Sequence, residues 1–349
     1  MRLTSPSNGH RQSAPGTVLA SVATGFEAFI ENQGADVDAV LGRAGLSRGL
    51  ALNPSSVIPF GSYCRALDEA VAATQNDNLG LWYGDQFQPQ SFGLLGYLAI
   101  SAPSLSAALQ GVIEWFPLHQ QYSSLKLGEE KGLHRLDYQV CDSAVVNRRH
   151  DAELSLCMFL NIMRHGLGSH WAPLEVHFQH AKPEAWLEHR WVFGADVKFG
   201  QTRNALIFNG DILSNSMPGA DPQLHAVIRQ ALMKLAESRP SPSTLTQVVR
   251  HQIVEMAYDR FPHLEEIALR LNIPTWTLHR RLTREGVSFK VLIDEVRKDM
   301  VPVLMAQKSM SITELAFKLG YSEVSAFSRA FRRWHGASPK HWQDMELRK

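Results

Sequence analysis

Cysteine is scarce in this chain. Three occur in 349 residues, Cys64, Cys141 and Cys157, an odd number set far apart. No CxxC pair or Cys/His spacing accompanies them. That excludes a disulfide framework and a zinc finger, and it favours a reducing compartment. Long apolar runs are also missing, and none approaches the roughly 18 residues that a membrane-spanning helix needs. The opening stretch, MRLTSPSNGHRQSAPG, is polar and has no apolar signal segment. A cytoplasmic protein with a disordered stretch at 1–16 is the expectation. GxSxG, GxGxxG and P-loop motifs are absent, so neither an enzyme nor a cofactor is expected.

What the chain does have is length, and with it two expected domains. The net charge is only +1, but it is unevenly placed. Residues 245–349 hold 17 Lys and Arg against 12 Asp and Glu, a net of +5, while residues 1–244 carry a net of −4. The C-terminal part is therefore the one suited to a polyanion. From Val18 to about Ala108 the pattern is mainly helical. SSLKLGEEKGLHRLDYQV, 123–140, alternates around a Gly/Glu/Lys turn and reads as a β-hairpin. NRRHDAELSLCMFLNIMRHGLG reads as a helix stopped at Gly166 or Gly168; LEVHFQH and DVKFGQTRNALIFNGDIL read as three more strands. These make an α+β domain over 17–212, followed by a helix and linker over 213–243 that ends in RPSPS, 239–243. Everything from 244 to 349 reads as helical.

The C-terminal part repeats itself. EEIALRLNIPTWTLHRRL and TELAFKLGYSEVSAFSRAF each place an alanine, Ala268 or Ala316, in a short helix before a tight turn and a second helix. In the later copy Phe327, Ala330, Phe331 and Trp334 form an apolar stripe. Ser325, Ser328, Arg329 and Arg332 form a second stripe displaced by two residues, about 200° around a helix. In the earlier copy Leu278 and Leu282 face inward, and Trp276, His279, Arg280 and Thr283 face outward. Small mid-helix residues, a tight turn and a basic second helix are the marks of a helix-turn-helix, here at 264–285 and 312–335. Ser311 with Glu314 makes a capping box, Ser322 is placed to cap the second helix of the later copy, and Gly336 and Pro339 end it. In the earlier copy either Thr275 caps or Pro274 begins the second helix. Between the copies, FKVLIDEVRKDMVPVLMAQ carries an apolar stripe at Phe289, Leu292, Ile293, Val296, Met300, Val303 and Leu304. A helix of that length, about 29 Å, can set two recognition helices about one DNA turn apart.

In this order and spacing, HLEEIALRL, TLHRRLTREGVSF, the connecting helix and ITELAFKLGYSEVSAFSRAFRRWHGASP resemble the DNA-binding domain of the AraC/XylS family of bacterial transcription regulators, over about 246–344. More weakly, FGLLGYLAISAPSLSAAL, 92–109, resembles the sensing domain of the branch containing ornithine-utilisation-type and some virulence regulators. The resemblance implies an α+β ligand-sensing and dimerisation domain, then an all-α domain with two helix-turn-helix motifs joined by a linking helix. It implies a sequence-specific regulator, an activator rather than a repressor, whose partners are double-stranded DNA, a small-molecule effector and RNA polymerase, with homodimerisation. Its base readers fall on Trp276, His279 and Arg280 and on Val324, Ser325, Ser328 and Arg329. Arg332 and Arg333, with Arg281 and Lys340, fit phosphate contacts or surface ion pairs. Pro302 departs from the family pattern; a proline inside a helix costs about 3 kcal/mol unless a kink absorbs it.

No residue set stands out for the effector. Arg148, Arg149, His150 and Asp151 suit either an acidic ligand or a charged helix start. Tyr97, Trp115, Phe116 and His119 suit core, subunit interface or pocket. The middle of the chain is rich in histidine, at 165, 170, 177, 180 and 189. His177 and His180 fall on opposite faces of the expected strand and no nearby carboxylate completes a set, so no metal is expected. The alternative function is a metabolite-binding protein or enzyme whose C-terminal helices serve as an interaction module.

Overall fold

The computed structural model describes residues 16–142, 145–238, 244–257, 260–305 and 310–346. The stretch 1–15 and the expected linker at 239–243 lie outside the described residues. Two separate apolar cores organise the rest.

Around the first core the elements are β1 (Thr17–Leu19), α1 (Phe26–Asn32), α2 (Val37–Arg43), β2 (Val57–Pro59), α3 (Phe60–Thr74), α4 (Leu79–Gln86), α5 (Leu94–Ile100) and α6 (Leu105–His119). Then come β3 (Ser123–Glu130), β4 (Leu133–Val140), α7 (Arg149–Leu167), β5 (Glu175–His177), α8 (Leu187–Phe193), β6 (Asp196–Lys198), β7 (Asn204–Asn209) and α9 (Pro222–Ser238). The helical reading of the first segment is corrected at its start. Thr17–Leu19 pairs antiparallel with Val57–Pro59, and α1 begins only after Gly25, whose φ of 80° interrupts a right-handed helix. The hairpin at 123–140 forms with Lys131 and Gly132 both at positive φ, the requirement of a tight two-residue turn. All five later strands join one sheet in the order β3-β4-β7-β5-β6, antiparallel except for β5 with β6. Strand β7 sits in the middle, and its buried run Asn204–Phe208 shows no alternation because both faces are covered.

Helix α7 is the spine of this half, ending at Gly168 with φ 99°. Helix α4 lies directly on it. A Cβ added at Gly80 would stand 2.3 Å from the His150 carbonyl oxygen, and one at Gly84 would stand 2.7 Å from the Cys157 Cβ. No side chain fits there, so these two glycines set the α4–α7 distance.

The second core holds α10 (Leu245–Ala257), α11 (Leu264–Arg270), α12 (Thr275–Arg284), α13 (Phe289–Met305), α14 (Ile312–Lys318), α15 (Val324–His335) and α16 (Pro339–Glu346). Helix α13 runs through Pro302 with 17 residues, about 25 Å. Its stripe is buried at Leu292, Ile293, Val296, Met300 and Leu304, and Val301 joins it.

Candidate nucleic-acid interface

Each helix-turn-helix is assembled from a buried alanine and a left-handed turn. Ala268 and Ala316 are buried where the second helix crosses the first. The turns pass through Asn272 (φ 53°) and Gly320 (φ 73°), each four residues after its alanine. Asparagine and glycine are the residues that tolerate this conformation best.

The opposed stripes of α15 are real. Phe327, Ala330 and Phe331 are buried, Trp334 is half-buried, and Arg329 and Arg332 are exposed on the other side. Ser328, Arg329, Arg332 and Arg333 line one shallow groove. Val324 and Ser325 stand at the start of the helix, where Ser325 Oγ donates to Glu323 at 3.0 Å. The cap residue is Glu323 and no side chain caps the helix, so Ser322 does not hold the role its position suggested. The Ser311–Glu314 box at the start of α14 forms in both directions. Arg333 turns toward the linking helix instead: its guanidinium is 3.4 Å from Asp294 and 5.9 Å over the Trp334 ring.

On α12, Leu278 and Leu282 are buried while Trp276, His279 and Arg280 are exposed. The Arg280 guanidinium lies 4.9 Å over the Trp276 indole. These two outward residues therefore form one stacked pair, which the i,i+4 spacing permits. Thr283 spends its hydroxyl on the His279 carbonyl at 2.9 Å. Pro274 occupies the cap position and Thr275 begins the helix, so neither expected arrangement holds: Thr275 does not cap and Pro274 is not the first helical residue.

Arg297 on α13 is a residue that the sequence reading missed. Its Nε donates to the Leu319 carbonyl at 2.8 Å and its Nη2 to the Gly320 carbonyl at 3.1 Å, while its plane lies 5.1 Å from the Phe261 ring and 4.5 Å from the Tyr321 ring. It thus satisfies the carbonyls left open at the end of α14 and ties the second motif to the linking helix. Glu285 does the same work for α10 and accepts from the Leu245 and Thr246 amides, both at 2.9 Å. A capping box at His263 and Glu266 starts α11. None of these has a periodic signature.

In the first half, the two arginines singled out for an acidic ligand are held internally. Arg148 donates to the carbonyls of Val140, Asp142 and Val145; Arg149 reaches Asp77, Asn78 and Glu153. Phe116 and His119 are core, Trp115 is half-buried and Tyr97 is exposed. Strand β5 ends at His177, so the opposite-face argument does not reach His180. His180 and His189 instead turn toward Glu153, the carboxylate the expectation of no metal lacked. Burial acts to raise the Glu153 pKa, but the neighbouring His150, the hydrogen bond from His189 and the guanidinium of Arg149 hold it well below the usual range. Burial lowers His180 to about 4, so its imidazole is neutral.

Among the described residues no helix is long and apolar enough to cross a membrane. The chain matches the family model of the arabinose-binding domain of AraC transcription regulator, N-terminal, over residues 34–217, and a helix-turn-helix domain over 267–345. It is 25% identical over 336 residues to the HTH-type transcriptional regulator VirS of Mycobacterium tuberculosis, covering 93% of this chain and 96% of that one. It is 24% identical over 294 residues to the ornithine utilization regulator of Pseudomonas aeruginosa, covering 84% and 86%. The crystal structure of the transcriptional regulator CdpR from Pseudomonas aeruginosa aligns with 91% of this chain and 97% of its own, at 19% identity and a TM-score of 0.41, too low to bear on the fold. The two family matches and the two built helix-turn-helix motifs decide between the alternatives: this chain belongs to the AraC family of transcription regulators, a DNA-binding protein with a ligand-binding N-terminal domain and not an enzyme.

Proposed function

We propose that the protein recognises a specific duplex site by laying α12 and α15 in two adjacent major-groove segments and activates transcription from it in response to a small molecule. The observation that carries this is the duplicated surface. Two helices on one core each turn exposed Arg, His, Trp or Ser side chains outward, opposite a buried apolar stripe. Trp276, His279 and Arg280 read one segment; Val324, Ser325, Ser328 and Arg329 read the other. Arg332 and Arg333 bind phosphates. The site of action is the cytoplasm, in keeping with three free, buried thiols. Exposed Leu224, Val227 and Met233 on α9 support homodimerisation, and contact with RNA polymerase completes the activator reading.

The domain boundaries 17–212, 213–243 and 244–349 form part of the same proposal. Residues 244–349 alone should fold and shift a duplex in a gel, with affinity that falls steeply as salt rises. A fragment with no helical circular dichroism would sink that boundary.

Effector control needs a route between the halves, and one contact surface supplies it. Glu255 on α10 pairs with Lys126 on β3 and accepts from Ser124 Oγ at 3.2 Å, the His251 and Tyr122 rings are 6.3 Å apart, and Cys141 packs into the second core. Burial pushes the Cys141 thiol up to about 12, so it is inert while the halves are docked. In Glu255→Ala, alkylation of Cys141 should accelerate while Cys64 and Cys157, inside the first core, stay protected. Mass spectrometry of labelled peptides reads all three. Equal acceleration at every thiol would mean general unfolding, and no change at Cys141 would remove this surface from the control route.

A further inference from the structure

Three elements of the first core converge on one carboxylate. Helix α7 carries Glu153, fully buried; the chain leaving β5 brings His180; α8 brings His189, also fully buried. One carboxylate oxygen and one nitrogen from each imidazole lie within 4.8 Å of one another. Glu153 Oε1 is 2.8 Å from His189 Nε2 and 3.5 Å from His180 Nε2. A tetrahedral zinc ion with bonds of about 2.0–2.1 Å sets its ligand atoms about 3.3 Å apart. The observed spacing brackets that figure.

The hydrogen bonding makes the gap chemically specific. His180 Nδ1 is 2.9 Å from the Ala181 carbonyl oxygen. A carbonyl only accepts, so Nδ1 carries the donated proton and Nε2 is the nitrogen turned toward Glu153. His180 Nε2 lies 3.5 Å from Glu153 Oε1 and has no hydrogen-bond partner, and neither has the other carboxylate oxygen, Oε2. Glu153 Oε1 accepts from Arg149 Nε and from His189 Nε2, both at 2.8 Å, so a metal ion bound there replaces the His189 Nε2 proton, which shifts to the unpartnered His189 Nδ1. An imidazole whose far nitrogen donates to a backbone carbonyl is also the usual way a metal-bound histidine is oriented. The rings of Phe178 and Phe199 lie beside this pocket, 4.9 Å and 5.5 Å from the His180 ring.

The charges agree. Arg149 donates to Glu153 Oε1 at 2.8 Å, but it also holds both oxygens of Asp77 at 3.1 Å. The formal charges of Arg149, Asp77 and Glu153 sum to −1. His150 Nδ1, 3.6 Å from Glu153 Oε2, flanks the oxygen that Arg149 leaves open. Two imidazoles and a carboxylate suit zinc and its neighbours and do not suit calcium or magnesium, which take oxygen ligands.

We propose that Glu153, His180 and His189 bind one divalent transition-metal ion of the zinc class, which cross-links α7, α8 and the end of β5. Three protein ligands leave a fourth position for water, reached from the His180 side, where that ring is 13% exposed. This site is separate from the DNA-reading surface, and its test does not depend on DNA binding.

The experiment uses the full chain, freed of any affinity tag and stripped with chelator, titrated with Co²⁺ and then Zn²⁺. One equivalent of Co²⁺ should give the intense visible spectrum of a tetrahedral site, Zn²⁺ should displace it, and Zn²⁺ should raise the melting temperature. His180→Ala should weaken binding by at least about 10–100-fold while its metal-free melting stays near that of the metal-free wild type. His170→Ala, at an exposed histidine, should bind as the wild type does. Glu153→Gln should abolish binding; should that variant fail to fold, His180→Ala decides alone. Absence of stoichiometric Co²⁺ or Zn²⁺ uptake by the wild type, or equal affinity in His180→Ala, overturns the proposal.

Discussion

Replacing Arg329 or Arg280 by alanine should lower affinity for the cognate duplex by about 5- to 150-fold and lower affinity for a scrambled duplex much less. The range is the free-energy equivalent of about 1–3 kcal/mol for one bidentate base contact. Both guanidiniums are exposed at the centre of an outward stripe, and both have the planar fork that matches guanine O6 and N7. Arg280 is already stacked on Trp276, so part of its ordering cost is met before DNA arrives. Trp276→Ala should therefore weaken binding through Arg280 as well as through its own contact, and the double variant should lose less than the sum of the two. Arg333 makes the contrast. It leans on Asp294 and Trp334, so Arg333→Ala should weaken every duplex about equally and reduce the salt slope by about one. Affinities on both duplexes across a salt series separate these cases. Equal losses on both duplexes for Arg329→Ala would show that it reads phosphate.

Arg297→Ala should destabilise the C-terminal half by about 2–4 kcal/mol, since hydrogen bonds from a charged donor are worth about 1.5–3 kcal/mol each and the side chain is only 18% exposed. The expected figure stays below the full sum because the Gly320 carbonyl is at the surface and water replaces part of that bond. Removing the guanidinium also strips the Phe261 and Tyr321 rings of their cation. Arg297→Lys keeps the charge but has no fork to span two carbonyls, so it should recover less than half of the loss. The consequence for function is geometric. The second motif loses its tether to α13, so contacts made by α15 should weaken before those made by α12. Urea unfolding of the C-terminal transition and footprinting of the two half-sites measure these effects. Wild-type unfolding in Arg297→Ala would show that packing alone orients the motif.

Much of this molecule follows from local rules. A buried stripe at i, i+3, i+4, i+7 depends only on helix geometry, which is why Phe327, Ala330 and Phe331, and Leu278 and Leu282, are legible in the sequence alone. The hairpin at 123–140 was legible for the same reason, since a tight turn must supply positive φ within two residues. Local rules also have local failures. The segment from Val18 reads as mainly helical, yet the backbone turns left-handed at Gly25, and the strand before it pairs with residues some forty positions away. Ser322 was the right residue type for a cap, but the helix starts after Glu323.

By itself, then, the sequence determined the two helix-turn-helix motifs, their inward and outward faces, the basic character of the C-terminal half and the alternation of helices and strands in the other. Those features are set by periodicity, turn chemistry and charge, all of which act over a few residues. Only the tertiary structure decided the strand order, the Arg297 tether, the stacking of Arg280 on Trp276 as an actual contact and the meeting of Glu153 with His180 and His189. Glu153 and His189 stand 36 positions apart, and Arg297 and Leu319 stand 22 apart. Each of those meetings depends on how whole elements pack, as α4 does on α7 through Gly80 and Gly84, and close packing leaves no repeat in the sequence to be read.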